Sequence, residues 1–263
     1  MNICGSVRPL RYGLTASGAA HQAQGDLDGA IACFRREAQA HPRWSSPHWR
    51  WGEALLLQGR EREALARLQE GNRRFVADES AHDSANEARR RGLVEGQHPF
   101  AVILGCSDSR VPAEIVFDQG VGDLFVIRVA GNVVAPSLVG SVEFACSKFG
   151  TRLVVVLGHT QCGAVQATLE ALQGPGEPAS DNIGAIAEFI RPSLESVLDS
   201  VGDADADEIV GRAVRANVRA SAENLRHASD IIEALERDDG LLIVGAEYSL
   251  ETGHVDFFDG VPS

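Results

Sequence analysis

Two cysteines and a histidine carry the strongest chemistry in this chain. Cys106 closes the apolar run FAVILGC, and His159 and Cys162 follow another apolar run in GHTQCGAV. Two thiolates and an imidazole suit zinc, and three protein ligands leave the fourth tetrahedral position to water, which marks a catalytic site rather than a structural one. Taken singly, each cysteine reads more readily as a small buried hydrophobe at a strand end. The surroundings of Cys106 reverse that balance. In CSDSRVPAE, Asp108 and Arg110 stand two residues apart directly after the run, where charges are seldom buried without a partner. Beside a metal such a pair can orient a bound water, accept its hydrogen bond, or let the carboxylate itself take the fourth position. A surface ion pair in a turn would add little stability and would explain neither residue's place.

These groups need a scaffold that brings them together across 53 residues of chain. FAVILGC (100–106), DLFVIRV (123–129) and RLVVVLG (152–158) are continuous apolar runs rich in β-branched residues, as in strands buried on both faces. SLVGSVEFACSKFG (137–150) and AVQATLEALQG (164–174) have apolar residues at helical spacing and end in glycine. Strand alternating with helix implies right-handed crossovers and an α/β fold, a mostly parallel central sheet flanked by helices. Groups at the carboxyl ends of such strands face a common crevice. His159 and Cys162, three apart at an expected helix start, would then share one face. Two longer helices are expected over 183–201 and 207–237, followed by a core strand in LLIVGAEY (241–248) and an edge strand in HVDFF (254–258). The polar, arginine-rich stretch 75–97 suits an exposed loop or helix.

Composition narrows the partners. The 24 Lys and Arg against 37 Asp and Glu leave a net charge of −13, which repels phosphate backbones and anionic lipid headgroups, so neither nucleic acid nor a membrane is an expected partner. The longest apolar runs are five residues, far below the roughly 20 that span a bilayer. The opening MNICGSVRPLRYGL lacks the apolar core and cleavage site of a secretory signal, so the expected compartment is the cytoplasm. Five cysteines at irregular spacing argue against a disulfide framework there.

The N-terminal quarter has a different grammar. A shift of 34 residues superimposes Gly18 on Gly52, Gly25 on Gly59, Ala30 on Ala64 and Phe34 on Leu68, with Pro42 closing the first unit. That pattern, over residues 11–78, resembles tetratricopeptide repeats, and the alternative is a plain helical hairpin. Two units bury too little for a free-standing solenoid, so the segment must lean on the rest of the protein or on a protein partner. Trp44, Trp49 and Trp51 cluster there, as a docking surface or as the core of a hairpin. The expected organisation is a helical tetratricopeptide-like extension over 1–64 and a zinc domain over 65–263.

CSDSRVPAE, FDQGVGDLFVIRVAGNVV, GSVEFA and VVLGHTQCGAV together resemble the bacterial β-class carbonic anhydrases, over about residues 65–258. The resemblance implies one zinc per chain on Cys106, His159 and Cys162, with Asp108 and Arg110 as the catalytic dyad. It implies that Gln97 helps hold carbon dioxide, that Phe125 and Phe144 belong to the apolar pocket, and that the Gly163 backbone N–H lies near the bound anion. Many relatives have tyrosine where this chain has Phe144, so no phenolic hydroxyl acts there. The family assembles as dimers or higher oligomers, so a homodimer or homotetramer with a pocket lined from two subunits is expected.

The implied activity is reversible hydration of carbon dioxide to bicarbonate and a proton. In it, zinc acidifies water into a nucleophile, and the dyad orients that water or gates it. Two thiolates neutralise the metal's charge, so the water is acidified less than on a dicationic centre and activity should rise toward alkaline pH. A zinc dehydrogenase is excluded by the lack of a dinucleotide fingerprint after any strand. A cysteine hydrolase would leave Cys162 and Arg110 without a role. A non-enzymatic scaffold has no support, since every ligand and both dyad residues are present. A hydrolase of carbon disulfide or carbonyl sulfide on the same site remains a rival that sequence separates poorly.

Overall fold

The computed structural model describes residues 61–80, 87–174, 180–200, 202 and 204–262. Nearly all of the expected helical repeat, with its three tryptophans, lies outside them. Residues from Arg62 onward form one compact unit.

Five strands make its sheet: β1 (Ala101–Gly105), β2 (Leu124–Arg128), β3 (Leu153–His159), β4 (Leu242–Tyr248) and β5 (Val255–Asp259). Their order is β2-β1-β3-β4-β5, parallel throughout except for the antiparallel pair β4 and β5. The expected mostly parallel sheet flanked by helices is what forms. Alternation along each strand splits the core into two. Ile103, Val155, Leu157, Val244 and Ala246 face one side with Phe117 and Leu68, while Val102, Leu104, Val154, Val156 and Ile243 face the other with Val218, Ala222 and Leu225. Fully burying each such side chain is worth about 1.5–3 kcal/mol, and both faces being covered explains the unbroken apolar runs of β1 and β3.

Helix α1 (Glu61–Val76) supplies Leu65 and Leu68 to the first face. The short α2 (Glu87–Gly92) buries nothing and α3 (Ala113–Val116) follows β1. Helix α4 (Pro136–Phe149) joins β2 to β3, starting on proline and ending at Gly150 with φ +68°. After β3 come α5 (Gly163–Gln173), α6 (Asp181–Leu198), α7 (Ala206–Arg226) and α8 (Asp230–Asp238). Among the described residues no helix is long and apolar enough to cross a membrane.

Two expectations need correcting. The helix expected over 207–237 is two helices. His227 ends α7, and Ser229 starts α8 by accepting a hydrogen bond from the Ile232 N–H at 3.3 Å, a local side-chain bond that competes with helix continuation. Strand β2 is an edge, and its burial is partial: Phe125 and Val126 are half-buried and Arg128 is exposed. An apolar run says that a strand has something to cover it, not that a neighbouring strand of this chain does so.

Candidate metal centre

The carboxyl ends of β1 and β3 meet a third apolar cluster, in which Cys106 and Cys162 pack with Val133 and with Val165, Ile190, Leu194 and Val214 of α5, α6 and α7. Cys106 directly follows β1, His159 is the last residue of β3, and Cys162 is the N-cap of α5. His159 and Cys162 do not share a helix face, contrary to expectation. The two-residue turn Thr160-Gln161 separates them, with Gln161 at φ +56° folding the chain back.

One ligand atom from each of Cys106, His159 and Cys162 lies within 4.8 Å of the others, and all three residues are buried. The two sulfurs are 4.0 Å apart, close to the roughly 3.8 Å that two Zn–S bonds of about 2.3 Å subtend at a tetrahedral angle and far too long for a disulfide. His159 Nδ1 donates to the Thr160 carbonyl at 2.9 Å, since a carbonyl only accepts, and so its Nε2 keeps the lone pair. That Nε2 is buried without a protein hydrogen-bond partner. A buried, unbonded nitrogen is costly, and a cation between it and two sulfurs removes the cost. The residues therefore fit zinc.

Electrostatics agree. A hydrogen bond from Cys162 holds the Cys106 thiol well below the usual thiol range against the opposing effect of burial, helped by His159 and by the backbone N–H groups of Gly131 and Asp108. Cys162 is pushed far above the usual thiol range because it keeps its proton as the donor of the hydrogen bond to Cys106 and is itself buried. The pair thus shares one proton, and a dication that replaces it fixes both sulfurs as thiolates. Burial, the largest single influence, disfavours a charged His159, but the Cys106 sulfur, the Thr160 carbonyl and the Asp108 carboxylate together outweigh it and raise its pKa.

Asp108 is held by a fork. Arg110 Nε donates to Oδ1 at 2.9 Å and an Arg110 terminal nitrogen to Oδ2 at 2.8 Å, and the Arg110 backbone N–H adds a third bond to Oδ1 at 2.9 Å. The guanidinium beside it holds the Asp108 carboxyl well below the usual carboxylate range. Asp108 Oδ2 sits 3.8 Å from His159 Nε2, so the carboxylate borders the three-donor cluster while Arg110 restrains it.

Of the other expected site residues, Gly163 adjoins the donor Cys162 along the chain, where it opens α5 and is exposed. Gln97 is exposed and lies before β1, at the opposite end of that strand from Cys106. Phe125 pairs with Val102, three register positions before the Gly105 and Arg128 pair. It stacks with Phe144 and Phe149 at ring distances of 6.4 and 6.0 Å, and Phe144 is 53% exposed.

Several residues that hold the site were not singled out from the sequence. Arg128 donates from Nε to the Cys106 carbonyl at 3.0 Å and from a terminal nitrogen to the Asp108 carbonyl, bracing the loop that carries Asp108 and Arg110. Thr160 receives the Leu250 N–H on its hydroxyl at 3.0 Å and gives its own N–H to the Tyr248 carbonyl at 3.0 Å, which aims its carbonyl at His159. Gly158, next to His159, has no room for a side chain, because a Cβ there would lie 2.4 Å from Val218. Buried Asn217, whose side-chain amide donates to the Gly131 carbonyl at 2.8 Å, did carry a signal: one amide in the apolar stripe of α7, between Val214 and Val218.

Comparison with known proteins supports the same assignment. The carbonic anhydrase family profile matches residues 101–255. Carbonic anhydrase 2 of Mycobacterium tuberculosis is 41% identical over 188 residues, covering 71% of this chain and 87% of that protein. The carbonic anhydrase of Mycolicibacterium smegmatis is 40% identical, covering 72% and 89%. Among solved structures, a β-carbonic anhydrase of Aspergillus fumigatus superposes with TM-score 0.60 at 26% identity, covering 76% of this chain and 91% of that one. A tetrameric β-carbonic anhydrase of Sordaria macrospora shares the fold, with TM-score 0.58 at 24% identity and coverage of 66% and 87%. Sheet order, buried donor set and relatives converge, and the chain belongs to the β-class carbonic anhydrase family.

Proposed function

We propose that Cys106, His159 and Cys162 hold the zinc of a carbon dioxide hydratase and that Asp108, restrained by Arg110, accepts the hydrogen bond of the water to be activated. The observation that carries this reading is the unbonded, buried His159 Nε2 facing two sulfurs, with an arginine-locked carboxylate 3.8 Å away. Bound zinc would supply the Lewis acidity that makes water a nucleophile. The protein's residues supply the rest. Cys106 and Cys162 bring the charge that keeps the metal in place, and the Thr160 carbonyl fixes the His159 ring. Asp108 stays ionised because of Arg110, so it accepts a proton-bearing hydrogen bond and does not give one. Release of Asp108 by Arg110 would free the carboxylate to close the metal, and the fork therefore doubles as a gate.

Gln97, Phe125, Phe144 and the Gly163 N–H are proposed to complete the carbon dioxide and bicarbonate pocket. The half-exposed Phe144 ring, stacked with Phe125 and Phe149, favours a pocket shared with a second copy, in a homodimer or homotetramer. The boundary near residue 64, the tetratricopeptide-like reading of residues 11–78 and a protein partner for it rest on the sequence pattern, as does a cytoplasmic location. The test is metal content with carbon dioxide hydration, in wild type and Cys162→Ala. One zinc per chain and rapid hydration are expected in wild type, and both are lost in the variant. Faster turnover of carbon disulfide or carbonyl sulfide than of carbon dioxide in parallel assays would overturn the substrate.

A further inference from the structure

The turn Ala130-Gly131-Asn132 leaves β2 and passes directly beneath Cys106. Its Gly131 N–H donates to Cys106 Sγ at 3.4 Å, and its Gly131 carbonyl accepts from Asn217 Nδ2 at 2.8 Å. Asn217 lies 86 residues further along the chain, in the middle of α7, and is 1% exposed. An amide buried among Val214, Val218 and Ala213 costs free energy unless it is bonded, and burial at this position is only reasonable for what the amide holds.

What it holds is the residue type with the greatest backbone freedom. Gly131 stands at φ +70° and Asn132 at φ +45°. A Cβ on Gly131 would come 2.7 Å from Ile190 Cδ1 and 3.2 Å from the Ala164 Cβ, so only glycine fits between α5 and α6 there. The N–H and C=O of Gly131 belong to successive peptide planes that pivot at its Cα. The Asn132 N–H donates to the Val129 carbonyl at 3.1 Å and closes the turn, so a bond that holds the Gly131 carbonyl also holds the turn that presents the Gly131 N–H to Cys106.

We infer that Asn217 is a positioning residue for the metal centre: by anchoring the Gly131 carbonyl it aims the Gly131 N–H at Cys106 Sγ and thereby sets how much charge that sulfur donates to the metal. This rests on the reading of Cys106 as a zinc ligand. Outer partners of metal ligands are worth about 10–100-fold in metal affinity or activity, and one acting through a peptide belongs at the lower end.

The experiment replaces zinc with cobalt in the intact chain, in wild type, Asn217→Leu and Asn217→Ser, and records the sulfur-to-cobalt charge-transfer band together with zinc affinity by chelator competition. Loss of the hydrogen bond leaves Cys106 a stronger donor, so the band should move to longer wavelength and zinc affinity should change by about 10-fold in whichever variant folds. Asn217→Ser removes the long amide without enlarging the residue, and so keeps the test available if leucine is not accommodated. Bands and affinity unmoved in a folded variant would overturn the positioning role and reduce Asn217 to packing. Wild-type cobalt protein without any sulfur band would instead overturn the ligand assignment beneath it.

Discussion

Cys106 and Cys146 are both buried thiols in the same subunit, 6% and 1% exposed, and their chemistry is opposite. Cys146 sits on α4 among apolar side chains, and burial pushes its thiol up to about 11. Cys106 has a sulfur 4.0 Å away, an imidazole beside it and backbone N–H groups directed at it, and its thiol is held well below the usual range. Burial alone makes an inert cysteine. A reactive or metal-binding one needs donors and charge built around the same burial. The difference lies in position: Cys106 follows the carboxyl end of a parallel strand, where loops and helix starts converge, and Cys146 lies within a helix against the sheet face.

The largest effect should separate the two outright. Cys162→Ala should abolish stoichiometric zinc and lower carbon dioxide hydration by on the order of a thousandfold or more, whereas Cys146→Ala should leave zinc content and turnover as in wild type. Metal analysis with stopped-flow hydration decides this, and a Cys162→Ala protein with full zinc would erase the contrast.

Next is the fork on Asp108. Arg110→Ala should retain zinc and lower turnover by about 10–100-fold, because the carboxylate is no longer restrained. The depressed Asp108 pKa means that the ion pair's contribution to stability is present above the ordinary carboxylate value of about 3.9 and is lost as pH falls through the lower folded value. Acid unfolding of Arg110→Ala should therefore begin at higher pH than in wild type. Coincident acid transitions would show that the fork does not restrain Asp108 in solution.

A third measurement compares the thiols directly. After zinc is removed by a chelator, iodoacetamide near pH 7 should modify Cys106, whose thiol the Cys162 hydrogen bond holds below the usual thiol range, while Cys146 stays unmodified until pH approaches its value of about 11 or the chain unfolds. Peptide mapping by mass spectrometry reads both sites. Equal labelling at neutral pH would mean that the Cys106 surroundings do not distinguish it.

The smallest effect is on packing. Cys146→Ser should cost about 1–3 kcal/mol for a hydroxyl buried among apolar groups and Cys146→Ala less than that, with hydration unchanged in both. Denaturant titration measures it, and a serine variant as stable as the alanine one would show that the site can hydrate or bond a hydroxyl.

Much of the architecture was legible because its signals are local. The runs around Val102, Val126 and Val155 marked three parallel strands, and Gly150 marked the end of α4 through its need for positive φ. The break between α7 and α8 was missed, since the hydrophobic stripe continues across it and only the Ser229 cap interrupts it. The edge position of β2 was also invisible, because apolar content reports what a strand needs and not which neighbour provides it.

The residue types of Cys106, His159 and Cys162, with the charged pair beside Cys106, pointed to metal chemistry, because donor softness and charge are properties of the side chains. Their separation was decided by tertiary structure. The 4.0 Å between sulfurs, the tautomer of His159 set by the Thr160 carbonyl, and the Asn217 amide that reaches Gly131 across 86 residues arise only when three helices close over the ends of β1 and β3. Hydrogen-bond strength falls off within tenths of an ångström and depends on direction, and no spacing along a chain encodes either.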